Sequence, residues 1–366
     1  MKKVVFSANT GWYLYNFRLN TIKMFLEKGY QVSIIAGNDR YIDKFEKLGC
    51  DVYPIFIMSN SMNPYYDART LLSLWLLYRK INPDFVYNFT PKINIYGTMA
   101  LHKQSANVIN NVAGLGNAFI ESGIKSKILK ILYKISQNRA NKIFFQNDED
   151  LRLFLASGII TADKCARLPG SGVDLTRFKK YISTDKENLK FVMVARLLVE
   201  KGVELYAEAA MKLREKYKNI TFYLLGPIPL DNPSAVSLSK IKEWESNQVL
   251  VYLGETDDVP AAIKDFDCVV LPSYYREGVP KSLLEAGAMG KAIITTDNVG
   301  CRDTVIDKFS GFICEARSAD SLAKKIEDFI LLDESEIDIM KERSYEHIYE
   351  NFDEKHVIKK YLETIQ

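Results

Sequence analysis

Two glutamates, Glu277 and Glu285, stand eight positions apart in "REGVPKSLLEAGA", and two cations, Arg196 and Lys201, stand five apart in "VARLLVEKGV". One carboxylate can accept hydrogen bonds from two neighbouring hydroxyls at once, so Glu285, on a helix read to begin at Pro280, suits the diol of a ribose. Its flanks "SLL" and "AGA" are apolar, which argues against an ordinary exposed charge. Glu277 falls in the loop before that helix, and Gly278 beside it lets a ligand come close to the backbone. Arg196 and Lys201 flank the start of another helix near Gly202. Unpaired N–H groups at a helix start carry about half a positive charge, and each charged hydrogen bond to an anion contributes about 1.5–3 kcal/mol. That arrangement suits a diphosphate and would ease its departure as a leaving group.

All four residues follow runs that read as buried parallel strands. The first half alternates "KVVFSA", "QVSIIAG", "DVYPIFI", "PDFVYNF", "SANVINNVAG" and "NKIFFQN" with amphipathic segments; "NDED" at 147–150 reads as a helix cap after "KIFFQ". The rhythm restarts after the Gly/Pro/Ser-rich "LPGSGVDLTRF" with "KFVMVARL", "ITFYLLG", "VLVYLG", "DCVVLPS" and "KAIITT". The expected fold is α/β: two doubly wound Rossmann-like domains facing an interdomain cleft, with ligands beyond the carboxyl ends of the strands. The expected boundaries are 1–168, a linker at 169–176, 177–350, and a closing helix at 351–366 that packs back on the first domain.

Composition narrows the classes of function. With 49 basic and 46 acidic residues in 366, the chain is too balanced to bind nucleic acid by bulk charge. The five cysteines are odd in number and show no C-x-x-C pair, so they read as reduced, mostly buried thiols. His102, His347 and His356 are too few and too scattered for a metal site. The apolar run after "MKK" is too short for a signal peptide, and "LLSLWLLY" too short to span a bilayer, so a cytoplasmic protein is expected.

The pair in "EGVPKSLLE" resembles the E-x7-E motif of retaining glycosyltransferase family 4. "ARLLVEKGV" resembles that family's diphosphate motif, "GSGVDLTRF" its interdomain linker, and the order of elements its GT-B architecture. The resemblance implies transfer of a hexosyl unit from a UDP-sugar with retention and without a metal ion. Arg196 and Lys201 would neutralise the donor diphosphate, Glu277 would contact the donor sugar, and Glu285 would hold the ribose. Gly278, Val279, Pro280, Lys281 and, from "FSANTGWYLYNFR", Gly11 would complete the donor site. "NVAGLGNAF", with Gly114 and Gly116, and "FTPKINIYG" are similar to the subgroup that extends undecaprenyl-diphosphate-linked glycans, N-acetylgalactosaminyltransferases in particular. The implied partners are a nucleotide sugar and a lipid-diphosphate-linked acceptor, in bacterial surface polysaccharide or glycan assembly. Many relatives carry a histidine where this chain has Pro91 with Lys92 and Asn94 beside it. Any role of that histidine is not carried over; Lys92 and Asn94 are expected near the acceptor or a phosphate instead, and His102 is read as structural.

"GIKSKILKILYKISQNRANK" carries Lys125, Lys127, Lys130, Lys134, Arg139 and Lys142, with no acidic residue from Ser122 to Asn147. Ile124, Ile128, Ile131, Leu132 and Ile135 recur at helical spacing. One reading is an interfacial helix drawn to anionic lipid, which places the protein on the inner face of the cell membrane. The plainer alternative is a domain helix with its apolar stripe in the core and its lysines in water. Other enzymes on this fold stay open, a nucleotide-sugar epimerase or hydrolase foremost, and so does a non-catalytic sugar-nucleotide-binding subunit. A nicotinamide dehydrogenase is disfavoured because "SANTGWY" stands where G-x-G-x-x-G would follow the first strand.

Overall fold

The computed structural model describes the chain apart from residues 60, 62, 102–105, 117–118, 120–122, 182–187 and 366, and describes Lys125 by its backbone alone. His102 therefore lies outside the described residues. The chain divides into two compact units, Met1–Ser171 with Lys355–Gln366, and Gly172–Glu354. Every strand pairing described within a sheet is parallel.

The first unit runs β1 (Lys3–Ser7), α1 (Gly11–Glu27), β2 (Gln31–Gly37), α2 (Ile42–Glu46), β3 (Asp51–Ile55), α3 (Pro64–Ile81), β4 (Phe85–Phe89), α4 (Pro91–Ala100), β5 (Asn107–Val112), α5 (Ile124–Gln137), β6 (Lys142–Phe145), α6 (Asp148–Ala156) and β7 (Cys165–Arg167). Its sheet has the order β3-β2-β1-β4-β5-β6-β7. Successive strand residues point to opposite faces: Val4 and Phe6 join the core under α1 and α2, while Val5 joins the core under α3, α4 and α5. Asn147 caps α6 by accepting from the Asp150 N–H.

The second unit runs β8 (Leu189–Val194), α7 (Val203–Lys216), β9 (Ile220–Leu225), α8 (Leu238–Ser246), β10 (Val251–Tyr252), α9 (Val259–Ile263), β11 (Cys268–Leu271), α10 (Lys281–Ala288), β12 (Ala292–Thr296), β13 (Gly311–Cys314), α11 (Ala319–Ile330) and α12 (Glu334–Phe352). The sheet order is β10-β9-β8-β11-β12-β13. The last helix, α13 (Glu354–Glu363), carries the chain back into the first unit. There the Tyr361 hydroxyl donates to Asn111 Oδ1 at 2.6 Å, and its ring meets Tyr87, Phe89 and Phe144.

Two strands, β7 and β13, were not expected; three and four residues are too short to show a period. The expected strand "VLVYLG" shrinks to the two residues of β10, which borders only β9 at the sheet edge.

Candidate active site

In the second sheet the strand order reverses between β8 and β11, and the loops after these two strands open at that point. Arg196 lies two residues past β8, ahead of a 3-10 turn at Val199–Lys201. The two loops are tied together by backbone. The Glu200 carbonyl accepts from Tyr274 N at 3.0 Å and Tyr275 N at 3.2 Å, and a Cβ on Gly202 would sit 2.2 Å from the Pro272 oxygen. Lys201 and Glu277, expected in separate roles, form an ion pair in which each side chain is only 14% and 13% exposed. Ser273 Oγ donates to the same Glu277 oxygen at 2.9 Å. Lys201 thus fixes Glu277 as well as standing near the expected diphosphate position. Arg196 is exposed, and its side chain has no hydrogen-bond or ion-pair partner among the described residues. Its charge is felt at Tyr275, whose phenol is pushed up chiefly by burial, then by Glu277, and pulled down by Arg196.

The loop carrying Glu277 is held from the β12 side. Asn298 Nδ2 donates to the Tyr275 carbonyl at 2.6 Å and to the Ser273 carbonyl at 3.3 Å, and Thr296 Oγ1 to Ser273 O at 2.5 Å. Gly300, at φ +78°, presses so close that a Cβ there would meet the Gly278 carbonyl oxygen at 1.3 Å. The tight approach at Gly278 is thus taken up by Gly300. Cys301 is buried nearby, and burial, then the charge of Glu277, push its thiol up to about 12, so it is no thiolate nucleophile at neutral pH.

α10 starts at Lys281 with Pro280 in the cap position and no side chain capping its N–H groups. Gly278, Val279 and Pro280 are buried against this start. Glu285, in the second turn, is 9% exposed. Lys281 Nζ stands 3.9 Å from it, beyond hydrogen-bond reach, and the carboxylate has no hydrogen-bond partner among the described residues. Burial raises its pKa, with Lys281 and then Arg177 drawing it back. An ionised carboxylate this dry is costly unless donors arrive, and a pair of hydroxyls provides them. Arg177, in the segment read as linker, was not singled out by spacing.

The residues expected from the first unit fare differently. Gly11 begins α1, but Asp39 fills the space beside it. One Asp39 oxygen takes the Trp12 N–H at 2.8 Å and the other stands 2.7 Å from where a Gly11 Cβ would be, while Thr10 takes the Tyr13 N–H. The backbone donors next to Gly11 are therefore already committed. Lys92 is paired with Asp67 at 2.5 Å, and Tyr96 shares that carboxylate at 2.8 Å. The expectation for Asn94 is corrected: it is 1% exposed, its amide donates to Asn111 O at 2.7 Å and its oxygen accepts from Asn111 N at 3.3 Å, so it holds α4 to β5. Gly114 and Gly116 follow β5 at φ +119° and +63°. The loops after β1 and β4, where this sheet's order reverses, are joined by Thr90 Oγ1 donating to Asn9 Oδ1 at 2.8 Å. Thr90 holds φ +71°, a costly conformation for a β-branched residue.

Of the two readings of α5, the plainer one, with its isoleucine stripe in the core, is corrected. Ile124, Ile128, Ile131 and Ile135 face solvent, together with Lys127 and Lys134, while Lys130 is half-buried with its Nζ over the Phe119 ring. No described helix is long and apolar enough to cross a membrane.

Residues 175–347 match the family described as "Glycosyl transferases group 1", and residues 3–147 the one described as "Glycosyl transferase 4-like". The chain is 28% identical, over 98% of its length and 97% of the relative's, to N,N'-diacetylbacillosaminyl-diphospho-undecaprenol alpha-1,3-N-acetylgalactosaminyltransferase of Campylobacter jejuni. It is 27% identical to the UDP-Gal:alpha-D-GlcNAc-diphosphoundecaprenol alpha-1,3-galactosyltransferase of Escherichia coli, over 70% of this chain and 68% of that one. Among solved structures it resembles Anabaena HepE in complex with UDP-glucose, with a TM-score of 0.81 at 15% identity, covering 100% and 99% of the two chains.

Proposed function

Because the chain belongs to the group 1 glycosyltransferases and carries a 4-like N-terminal domain, we propose that it moves a hexosyl unit from a UDP-sugar, with retention, to a lipid-diphosphate-linked glycan in bacterial surface polysaccharide or glycan assembly. N-acetylgalactosamine, in alpha linkage, is the sugar we favour, by analogy with the Campylobacter relative. The observation that carries the donor half of this reading is Glu285: a nearly buried carboxylate, beyond hydrogen-bond reach of Lys281, awaiting two donors. A ribose diol supplies both from one ligand.

The rest of the site follows from charge. Arg196, Lys201 and the start of α10 face a diphosphate with positive potential and need no metal ion to do so. As the bond from the anomeric carbon to the diphosphate oxygen lengthens, positive charge grows on the sugar and negative charge on the leaving group. The cations stabilise the second and Glu277, steadied by Lys201 and Ser273, the first. The acceptor hydroxyl then attacks from the face the diphosphate leaves, which preserves configuration, and its proton passes to the departing phosphate oxygen. The reaction is placed at the inner surface of the membrane, where a lipid-linked acceptor resides.

The test is release of free UDP from a panel of UDP-sugars, with and without a lipid-diphosphate-linked acceptor. Release from one donor, and only with acceptor, is expected. Release indifferent to acceptor would assign a hydrolase instead.

A further inference from the structure

α5 is amphipathic in an unusual sense. Its inward face is mixed: Leu129, Leu132 and Tyr133 pack against the core, but Ser126, Ser136 and Gln137 are buried there too, and Gln137 accepts from Asn110 Nδ2 at 2.8 Å and donates to Asn94 O at 3.2 Å. Its outward face is apolar, with Ile124 78% and Ile131 58% exposed and Ile128 and Ile135 beside them. A helix that leaves four isoleucines in water while it buries two serines and a glutamine is wrongly patterned for a globular surface.

α3 repeats the theme. Its core side carries Thr70, Leu74, Tyr78 and Ile81, and on the opposite side Tyr65, Leu72, Trp75 and Leu76 are exposed. Arg79 lies over the Trp75 ring at 4.7 Å, a cation held against an aromatic ring with an apolar flank. α4 packs between α3 and α5, and all three cover the same sheet face, so both exposed stripes point away from the sheet. Charge tells which partner fits. The three helices carry eight basic residues and one acidic one, Asp67, which Lys92 neutralises; the whole chain is balanced at 49 to 46.

We propose that the outer face of α3 and α5 together docks on an anionic lipid surface, with Leu72, Trp75 and Leu76 as one apolar anchor and the α5 isoleucines as the other. The inference rests on the proposed reaction only in that a lipid-linked acceptor gives such docking a purpose. Apolar side chains on both ridges enter the headgroup region, while Arg79, Lys127 and Lys134 meet the lipid phosphates.

The test is flotation of the full chain with phosphatidylcholine vesicles, plain or mixed with phosphatidylglycerol. Wild type should float with the mixed vesicles, and Lys127→Glu or Lys134→Glu should each weaken binding at least about fivefold. Ile128→Glu/Ile131→Glu and Leu72→Glu/Leu76→Glu, all at exposed positions, should each lower it at least about tenfold. Wild type that stays unbound, or binds plain vesicles equally well, overturns the proposal. An α3 variant that floats like wild type overturns the two-helix face. Light scattering showing a dimer that the same substitutions dissolve assigns the face to a second copy and also overturns it. UDP release with a water-soluble short-chain acceptor, measured on the same samples, should be unchanged by the Ile and Leu substitutions. Absence of that release in a wild type that floats would sink the reaction and leave the docking face standing.

Discussion

Gly300→Ala isolates the geometry of the Glu277 loop from everything else in the site. Gly300 holds φ +78°, where an L-residue costs about 1–2 kcal/mol. The larger effect is steric. The added Cβ would lie 1.3 Å from the Gly278 oxygen and 2.5 Å from its carbonyl carbon, so that peptide must withdraw by about 1.7 Å merely to reach 3.0 Å. The peptide adjoins Glu277, and the loop cannot yield freely because Asn298, Thr296 and Ser273 hold it. Misplacing a reacting group by about 1 Å costs about a hundredfold in rate, so turnover should fall at least that far. Gly290→Ala is the control. It has a similar φ of +69°, but its Cβ would meet only the Lys180 side chain, at 3.1 Å, so it should lose some stability and keep its turnover. Acceptor-dependent UDP release and thermal melts on both variants read the two effects apart. A Gly300→Ala enzyme that melts like Gly290→Ala and keeps turnover within about threefold of wild type would refute the claim that loop position governs the reaction.

Three further outcomes are expected. Burial raises the Glu285 carboxyl above its ordinary 4.5, so the folded state holds that proton more tightly; the stability this contributes is present below pH 4.5 and lost as pH rises through the raised value. Glu285→Gln should therefore gain on wild type in melting temperature as pH rises above 4.5 without ligand, yet bind UDP at least about tenfold more weakly by calorimetry; a melting difference that does not change as pH rises above 4.5 would contradict it. Arg196→Ala should weaken UDP about 10- to 100-fold while leaving uridine nearly unaffected, and equal losses for both would remove Arg196 from the diphosphate site. Lys291, buried and hydrogen-bonded to the Tyr181 carbonyl at 3.3 Å, is lowered from 10.5 to about 8, first by burial and then by Lys341. Its stabilising contribution is complete above 10.5 and fades as pH falls through 8, so wild type should gain on Lys291→Met by up to about 1.4 kcal/mol per pH unit between those values; parallel denaturation curves at pH 7.5 and 9.5 would refute this.

The residues that sequence could place are those fixed by what precedes them along the chain. Arg196, Glu277 and Glu285 follow unbroken apolar runs, and in a parallel sheet the end of such a run is where a ligand site opens. What sequence could not place is anything decided by which strand lies beside which. Lys201 and Glu277 meet across 76 residues because β11 pairs with β8, and Gly300 reaches Gly278 because β12 pairs with β11. Gly300 lies four residues past β12 and carries no signal in spacing; only its position in space gives it meaning.

α5 shows a different limit. Periodicity locates a stripe of isoleucines without telling which side of the helix the protein uses, and the ordinary rule sends that stripe inward. The deciding residues lie on β4 and β5. Asn88 and Asn110 are fully buried, with Asn88 Nδ2 donating to Asn110 Oδ1 at 3.0 Å; Asn110 Nδ2 gives one hydrogen to Thr98 Oγ1 at 2.8 Å and still needs an acceptor for the other. A buried N–H left unmet costs about 1–3 kcal/mol, and Gln137 answers this second one only if the polar side of α5 turns toward the sheet. Satisfying those asparagines turns the isoleucines outward. A chain that keeps four of them there, on a helix with lysines and no acidic residue, has a surface better matched to the edge of an anionic bilayer than to water.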